Sequence, residues 1–119
     1  MKYMLTIFGP EGGMEDASPE EMQAEMDRWG AFSQETVDKG AFVAGEGLQA
    51  SATATTVRIP ENGGEREVTD GPFAESKEQL GGFYVLECED LDQALDWARK
   101  IPSRAGAVEV RPVMVFDQS

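Results

Sequence analysis

The feature that most limits the fold of this chain is a pair of segments that are largely apolar at every position. In Tyr3 to Phe8, two apolar sets alternate, and Phe83 to Leu86 repeats the pattern. A period of two indicates a β-strand, and apolar residues at both parities indicate a strand covered on both faces. The chain must therefore place two central strands in a sheet whose two faces both need cover.

Two helices are predicted from their capping residues. Ser18-Pro19-Glu20-Glu21 supplies an N-cap, a proline at the first helical position and a capping-box glutamate, and Gly40 is a suitable stop. Asp90 caps a second helix, which ends before Pro102. The apolar positions predicted to pack into the core are Met22, Met26, Trp29, Phe32 and Val37 in the first helix and Leu91, Ala94, Leu95, Ala98 and Ile101 in the second.

The other segments complete an alternating order of elements. Residues 41–44 are predicted as a short strand broken by Gly45-Glu46-Gly47, residues 75–79 are long enough for one helical turn, and residues 107–115 form the last strand. Residues 55–59 and 65–69 predict a hairpin, because the Asn62-Gly63 pair between them suits a tight reversal. This order predicts an α+β ferredoxin-like sandwich, in which two helices pack on one face of an antiparallel sheet.

The length of the chain, 119 residues, indicates one domain that spans residues 1–119. Two helices cover only one face of a sheet, yet the central strands are apolar on both faces. An exposed apolar sheet face of several hundred Å² is unusual for a soluble monomer. We therefore expect a homodimer that packs through its sheet faces.

Composition excludes several classes of function. The formal net charge of −13 repels phosphate backbones and anionic membrane surfaces, so neither nucleic acid nor a membrane is an expected partner. No apolar stretch reaches the roughly 20 residues that span a bilayer, and the single Cys88 makes no internal disulfide, so we expect a cytoplasmic protein. The absence of histidine removes histidine-based nucleophilic schemes and histidine-ligated metals. We expect no cofactor and no metal, because helix capping already accounts for Asp90 among the nearby acids Glu87, Glu89 and Asp92.

A family resemblance becomes specific in the run Val68-Thr69-Asp70-Gly71-Pro72-Phe73-Ala74-Glu75-Ser76-Lys77-Glu78-Gln79-Leu80-Gly81-Gly82. This run resembles the signature of the DGPF proteins within the YCII-related family. Further segments match the family pattern in order: Gly45-Glu46-Gly47-Leu48, Thr55-Thr56-Val57-Arg58, Asp90-Leu91-Asp92-Gln93-Ala94 and Val108-Glu109-Val110-Arg111-Pro112. The resemblance implies a dimeric ferredoxin-like fold, that is, a dimeric α/β barrel. It also implies a possible link to sigma factors, and a catalytic His-Asp pair of which only Asp70 has a counterpart here.

The bend at Asp70 is the predicted functional site. In the structural interpretation Asp70 accepts backbone hydrogen bonds, Gly71 and Pro72 fix the bend, and Phe73 anchors it in the core. In the functional interpretation Asp70 acts as a general acid or base beside a cleft. The candidate ligand-binding residues are Arg28, Arg58, Asp70, Gly71, Pro72, Phe73 and Lys77.

Three hypotheses follow from these candidates. The first is a homodimeric small-molecule-binding or accessory protein with a cleft near the Asp70 to Phe73 bend. The second is an enzyme that uses Asp70 on a small organic acid, with Lys77 or an arginine as its electrostatic partner. The third is an interaction module linked to sigma-factor regulation, which would present its acidic surface to a basic partner.

Overall fold

The computed structural model describes residues 1–116, and its main layer is a four-stranded antiparallel sheet in the order β2-β5-β1-β6. A separate two-stranded hairpin, β3-β4, is inserted between β2 and β5. The elements are β1 (Lys2–Gly9), α1 (Pro19–Asp38), β2 (Phe42–Gly47), β3 (Thr55–Arg58), β4 (Glu67–Asp70), β5 (Gln79–Glu87), α2 (Leu91–Lys100) and β6 (Ala107–Pro112). This arrangement confirms the predicted α+β class, the antiparallel sheet and the inserted hairpin.

The predicted caps begin both helices. The Ser18 hydroxyl accepts a hydrogen bond from the Glu21 amide at 3.1 Å, and the Asp90 carboxylate accepts one from the Gln93 amide at 2.9 Å. Each cap satisfies an amide that has no partner inside its helix. Both helices are therefore set by local sequence. Neither is long and apolar enough to cross a membrane.

One face of the sheet carries the core. Leu5 and Leu86 are fully buried there, and each contributes about 2 kcal/mol relative to an exposed side chain. Phe32 of α1 lies edge-on to Trp97 of α2 with ring centroids 6.0 Å apart, so both helices join one cluster on this face. Cys88 is also buried. Burial raises the pKa of its thiol, which argues against a nucleophilic role.

The predicted apolar stripe of α1 is only partly buried. Phe32 lies in the core and Trp29 is partly buried against it, whereas Met22, Met26 and Val37 are at least half exposed. The prediction that all five pack into the core is therefore wrong for this chain considered alone. Met22 and Met26 lie in the first half of the 20-residue helix, ahead of its buried residues Phe32 and Thr36. Val37 faces an open space between α1 and the sheet.

β2 continues through Gly45-Glu46-Gly47, where the sequence predicted a break. A Cβ atom at Gly45 would lie 2.8 Å from the Tyr84 ring, and one at Gly82 would lie 2.7 Å from the Glu46 carbonyl oxygen. Both distances are too short for ordinary packing. The glycines thus let β2 and β5 pair closely beside a large ring, rather than ending the strand.

Residues 75–79 form bends and the start of β5 instead of the predicted helical turn. The Gln79 side-chain amide donates to the carbonyl oxygens of Ala74 and Ser76, each at 3.1 Å. The Ser76 hydroxyl donates to the Glu78 carbonyl at 2.5 Å. Side chains thus satisfy backbone groups locally and compete with helix formation. The last strand is also shorter than predicted, because β6 ends at Pro112.

The second face of the sheet carries neither helix. Its central positions are Met4, Thr6 and Phe8 from β1 and Phe83 and Val85 from β5, and they stay partly accessible to solvent. We call this set the uncovered sheet face. It is the apolar surface that the two-sided strand pattern predicted.

Candidate functional site

A cleft lies between α1 and the edge of the sheet formed by β2 and β5. Its volume is about 750 Å³, which is within the range of small-molecule sites. We call it the α1 cleft. Its lining includes Trp29, Ser33, Phe42, Gly47, Leu80 and Tyr84.

Tyr84 and Ser33 place two hydroxyl groups in this cleft. Their oxygen atoms are 2.6 Å apart, so one hydroxyl donates to the other and one proton remains available to a ligand. Phe32 and Phe42 hold the Tyr84 ring edge-on, with centroid distances of 5.1 and 6.5 Å. The hydroxyl pair is therefore a fixed polar point in a mostly apolar cleft.

Trp29 forms one wall, and Glu25 orients it. The Trp29 indole N–H donates to the Glu25 carboxylate at 3.0 Å, and Arg28 and Arg104 also bind that carboxylate. Hydrogen bonds from Arg28 and then Trp29 lower the pKa of Glu25, and the Arg28 and Arg104 charges add to the effect. Glu25 thus links α1 to the loop before β6 and fixes the Trp29 ring.

Glu11 ties together two segments at the mouth of the cleft. Its carboxylate accepts hydrogen bonds from the Ser51 amide, at 2.6 Å, and from the Ser51 hydroxyl. These bonds, the hydroxyl one first, lower the pKa of Glu11 and keep it ionised. The loop after β1 is thereby held against the segment after β2.

The charge of the lining is one-sided. Glu11 is the acid at the mouth of the cleft, whereas Glu46 lies opposite Phe83 in the register, so its side chain is on the other face of the sheet. Within residues 1–116, no lysine or arginine lines the cleft. A carboxylate at the mouth and a largely apolar wall disfavour an anionic ligand. The site suits a neutral or cationic molecule with an apolar body.

The predicted bend lies elsewhere, on the β3-β4 hairpin. Asp70 ends β4 and is exposed. Gly71, at a φ of 100°, donates its amide to the Ala54 carbonyl at 2.8 Å and accepts from the Thr56 hydroxyl at 2.7 Å. Pro72 follows in the same bend and is partly buried. Two hydrogen bonds of the Gly71 backbone therefore hold the bend in place, whereas the structural interpretation placed the bonds on the Asp70 carboxylate.

Phe73 does not anchor this bend in the core, so that part of the prediction is wrong. Its side chain is 73% exposed, and its ring lies under the Arg58 guanidinium, 5.3 Å from centroid to carbon. The structure thus brings Arg58 and Phe73 together as a surface cation–π pair.

The remaining predicted ligand-binding residues are dispersed. Arg28 binds Glu25 behind the Trp29 wall, and Lys77 lies beside Phe8 and residues 107–109 in a separate shallow hollow. Arg111 pairs with Glu109 at 2.6 Å. Within residues 1–116, no three potential metal-ligating side chains of His, Cys, Asp or Glu converge.

Sequence reasoning missed the α1 cleft although two signals bore on it. Gly45-Glu46-Gly47-Leu48 carried part of the family resemblance, and all four of these residues line the cleft, with Gly45 against Tyr84. Trp29 belongs to the apolar stripe of α1 that was predicted to pack into the core, and it also lines the cleft. The Tyr84–Ser33 pair had no sequence signal, because its two members are 51 positions apart.

Comparison with known proteins decides the family. The model of the YCII-related domain matches residues 1–117. The chain belongs to the YCII-related family. An uncharacterized protein of Rhizobium meliloti (strain 1021) is 36% identical over 119 residues, and the alignment covers 98% of this chain and 94% of that protein. The match to the YCII-related domain therefore extends over nearly the whole chain. This relative is uncharacterized, so it suggests no activity.

The Glu25 cluster gives a prediction about pH. A carboxylate whose pKa is lowered on folding stabilises the protein above its ordinary pKa of 4.5, and this contribution is lost as pH falls through the lower folded value. Glu25→Gln should therefore melt at a lower temperature than the parent at pH 7, and the difference should shrink steadily below about pH 4.5. Thermal melts of both proteins from pH 7 to pH 3 measure this. A difference that is constant with pH would contradict the account.

Proposed function

We propose that the protein is a homodimeric small-molecule-binding protein whose ligand occupies the α1 cleft. In this proposal the subunits have the ferredoxin-like arrangement and pack sheet to sheet as a dimeric α/β barrel. The observation that carries it is the cleft itself, with a fixed Tyr84–Ser33 hydroxyl pair inside a largely apolar wall.

The geometry of the cleft favours binding over catalysis. The Tyr84 ring is fixed by two aromatic neighbours, the Trp29 indole is held by Glu25, and Glu11 is bound to Ser51. Polar groups that are held in place lose little entropy when a ligand arrives. Such a cleft selects a ligand by shape and by one or two hydrogen bonds.

The charge of the lining narrows the ligand class. The carboxylate of Glu11, whose pKa is lowered by its bonds to Ser51, favours a neutral or protonated amine ligand over a carboxylate or phosphate. This preference argues against a small organic acid, which is the substrate class in the enzyme hypothesis. That hypothesis and the sigma-factor partner remain predictions from the bend and the family resemblance.

The dimer is supported by the uncovered sheet face. Met4, Phe8, Phe83 and Val85 lie on the side of the sheet opposite both helices. Contact with a second copy would bury these side chains at about 25 cal/mol for each Å² of apolar surface removed from water.

Gly47→Val tests the cleft directly. A Cβ atom at Gly47 meets nothing within 4 Å, the φ angle is ordinary, and a β-branched residue suits the strand. Gly47 also lines the cleft, so a valine side chain at this position would occupy part of the cleft without straining the backbone. We expect naphthylmethylamine and naphthol to raise the melting temperature of the parent, and Gly47→Val to weaken their binding at least tenfold in calorimetry.

Asp70→Ala is the matched control, because it changes the predicted bend and leaves the α1 cleft intact. We expect the parent affinity in this variant. Naphthoate, the anionic member of the probe series, should bind at least tenfold more weakly than the amine. Binding that survives Gly47→Val but is lost in Asp70→Ala would move the site to the bend and refute the proposal.

A further inference from the structure

The β3-β4 hairpin is an amphipathic ribbon whose apolar face lacks cover. Its register pairs Val57 with Val68 and Thr55 with Asp70, which places these four side chains on one face together with Ile59. The opposite face carries Thr56, Arg58, Glu67 and Thr69. This alternation is typical of a strand pair with one face on a core and one face in water.

Within residues 1–116 of a single chain, no such core lies beneath the ribbon. Val57 is 52% exposed and Val68 is 67% exposed, and both strands make their main contacts with each other. An isolated two-stranded hairpin is marginally stable at best in water. The alternating pattern of the hairpin therefore indicates a partner surface for its apolar face, and residues 1–116 do not supply that surface.

The radius of gyration and the accessible surface of the chain indicate how much surface a partner could cover. The radius of gyration is 16.9 Å, whereas a compact domain of 119 residues has about 13.5 Å. The accessible surface is 8852 Å², against about 6300 Å² for a compact monomer of 13.0 kDa. The excess is roughly 2500 Å² per chain, and the total for two chains is that of an obligate homodimer interface.

We propose that the hairpin is an arm that docks its apolar face, Val57, Ile59 and Val68, onto a second copy of this chain. The proposal rests on the proposed homodimer and goes beyond it, because sheet-to-sheet packing alone leaves the arm without cover. A second copy is the occupant that matches the excess area, since each chain supplies an arm and receives one. The arm lies on the partner beside the sheet-to-sheet interface.

The arm also gives the Asp70 to Phe73 bend a structural role. The Gly71 carbonyl and amide are both bonded to the strand that leads into the arm, through Thr56 and Ala54. Gly71 has a φ of 100°, a backbone conformation that residues other than glycine rarely adopt. The bend therefore fixes the direction in which the arm leaves the domain, and it presents Phe73 beside the arm.

A pair of lysine variants separates the two faces of the arm. Val68→Lys places a charge on the apolar face, while Thr69→Lys places the same charge one residue away on the polar face. The chain has a net charge of −13, so an added lysine reduces repulsion between subunits in both variants. We expect Val68→Lys to raise the dimer dissociation constant at least a hundredfold and Thr69→Lys to change it less than threefold, both by sedimentation equilibrium.

Hydrogen exchange on the unmodified protein gives an answer even if Val68→Lys does not fold. We expect the backbone amides of residues 56–58 and 67–70 that are bonded across the hairpin to be protected in the dimer, and to lose that protection in step with dissociation on dilution. A dimer whose hairpin amides exchange at unprotected rates, or whose dissociation constant is the same in Val68→Lys and Thr69→Lys, would overturn the arm and leave the sheet dimer standing. A monomer at every concentration would overturn both.

Discussion

Val85→Glu is expected to convert the proposed dimer into a monomer. Val85 lies in the central strand β5, opposite Met4, at the middle of the uncovered sheet face. In a sheet-to-sheet dimer two glutamates would be buried near each other without partners, which costs several kcal/mol. Sedimentation equilibrium should show the dissociation constant raised at least a thousandfold.

Ala31→Glu is the control for this change. Ala31 is an exposed position of α1, so the variant adds the same charge without touching the sheet face. We expect it to remain dimeric. If Val85→Glu sediments as the same dimer as the parent, the sheet face is not the interface. The circular dichroism spectrum of Val85→Glu should match that of the parent, because the core on the helix side of the sheet is unchanged.

Gly106→Ala is expected to be the most damaging single methyl substitution among the described glycines. Gly106 has a φ of 105°, and a Cβ atom there would lie 2.0 Å from the Phe8 carbonyl oxygen. Both the torsion and the backbone clash must be relieved, which should cost about 3 kcal/mol or more. We expect the melting temperature to fall by about 10 °C or more at matched protein concentration.

Gly30→Ala is the matched control for this substitution. Gly30 lies within α1, and a Cβ atom there meets nothing within 4 Å. Alanine should therefore stabilise the helix by about 0.5–1 kcal/mol. An equal loss of stability in both variants would contradict the clash, and a neutral Gly106→Ala would contradict the packing of the turn before β6 against the end of β1.

Local signals predicted the elements of this fold well. Ser18 and Asp90 begin helices because each supplies a cap within three residues of the amide that it binds. The hairpin that the Asn62-Gly63 pair predicts is present, but its strands end at Arg58 and begin at Glu67, so residues 59–66 connect them instead of a tight reversal. Gly63 has a φ of 71° within this connection. In these places the decisive interactions lie within a few residues, so the sequence alone is sufficient.

Non-local contacts explain the failures. Gly45 was interpreted as a strand break, but the Tyr84 ring occupies the space that a side chain at position 45 would need. Tyr84 lies 39 positions later in the sequence, so this contact has no local signal. Phe73 is apolar and was placed in the core, but its neighbours are Arg58 and solvent. The candidate site moved for the same reason, because the α1 cleft is assembled from α1, β2 and β5.

The most direct test of the proposed site is the indole signal of Trp29 in a titration with naphthylmethylamine. Trp29 lines the α1 cleft and donates its N–H to Glu25, whereas Trp97 lies buried in the core and is the internal reference. Proton–nitrogen correlation spectra should show the Trp29 indole and the Gly47 and Gly81 amides shifting together while the Trp97 indole stays in place. Shifts confined to the amides of Asp70, Gly71 and Phe73, with Trp29 unmoved, would contradict the account.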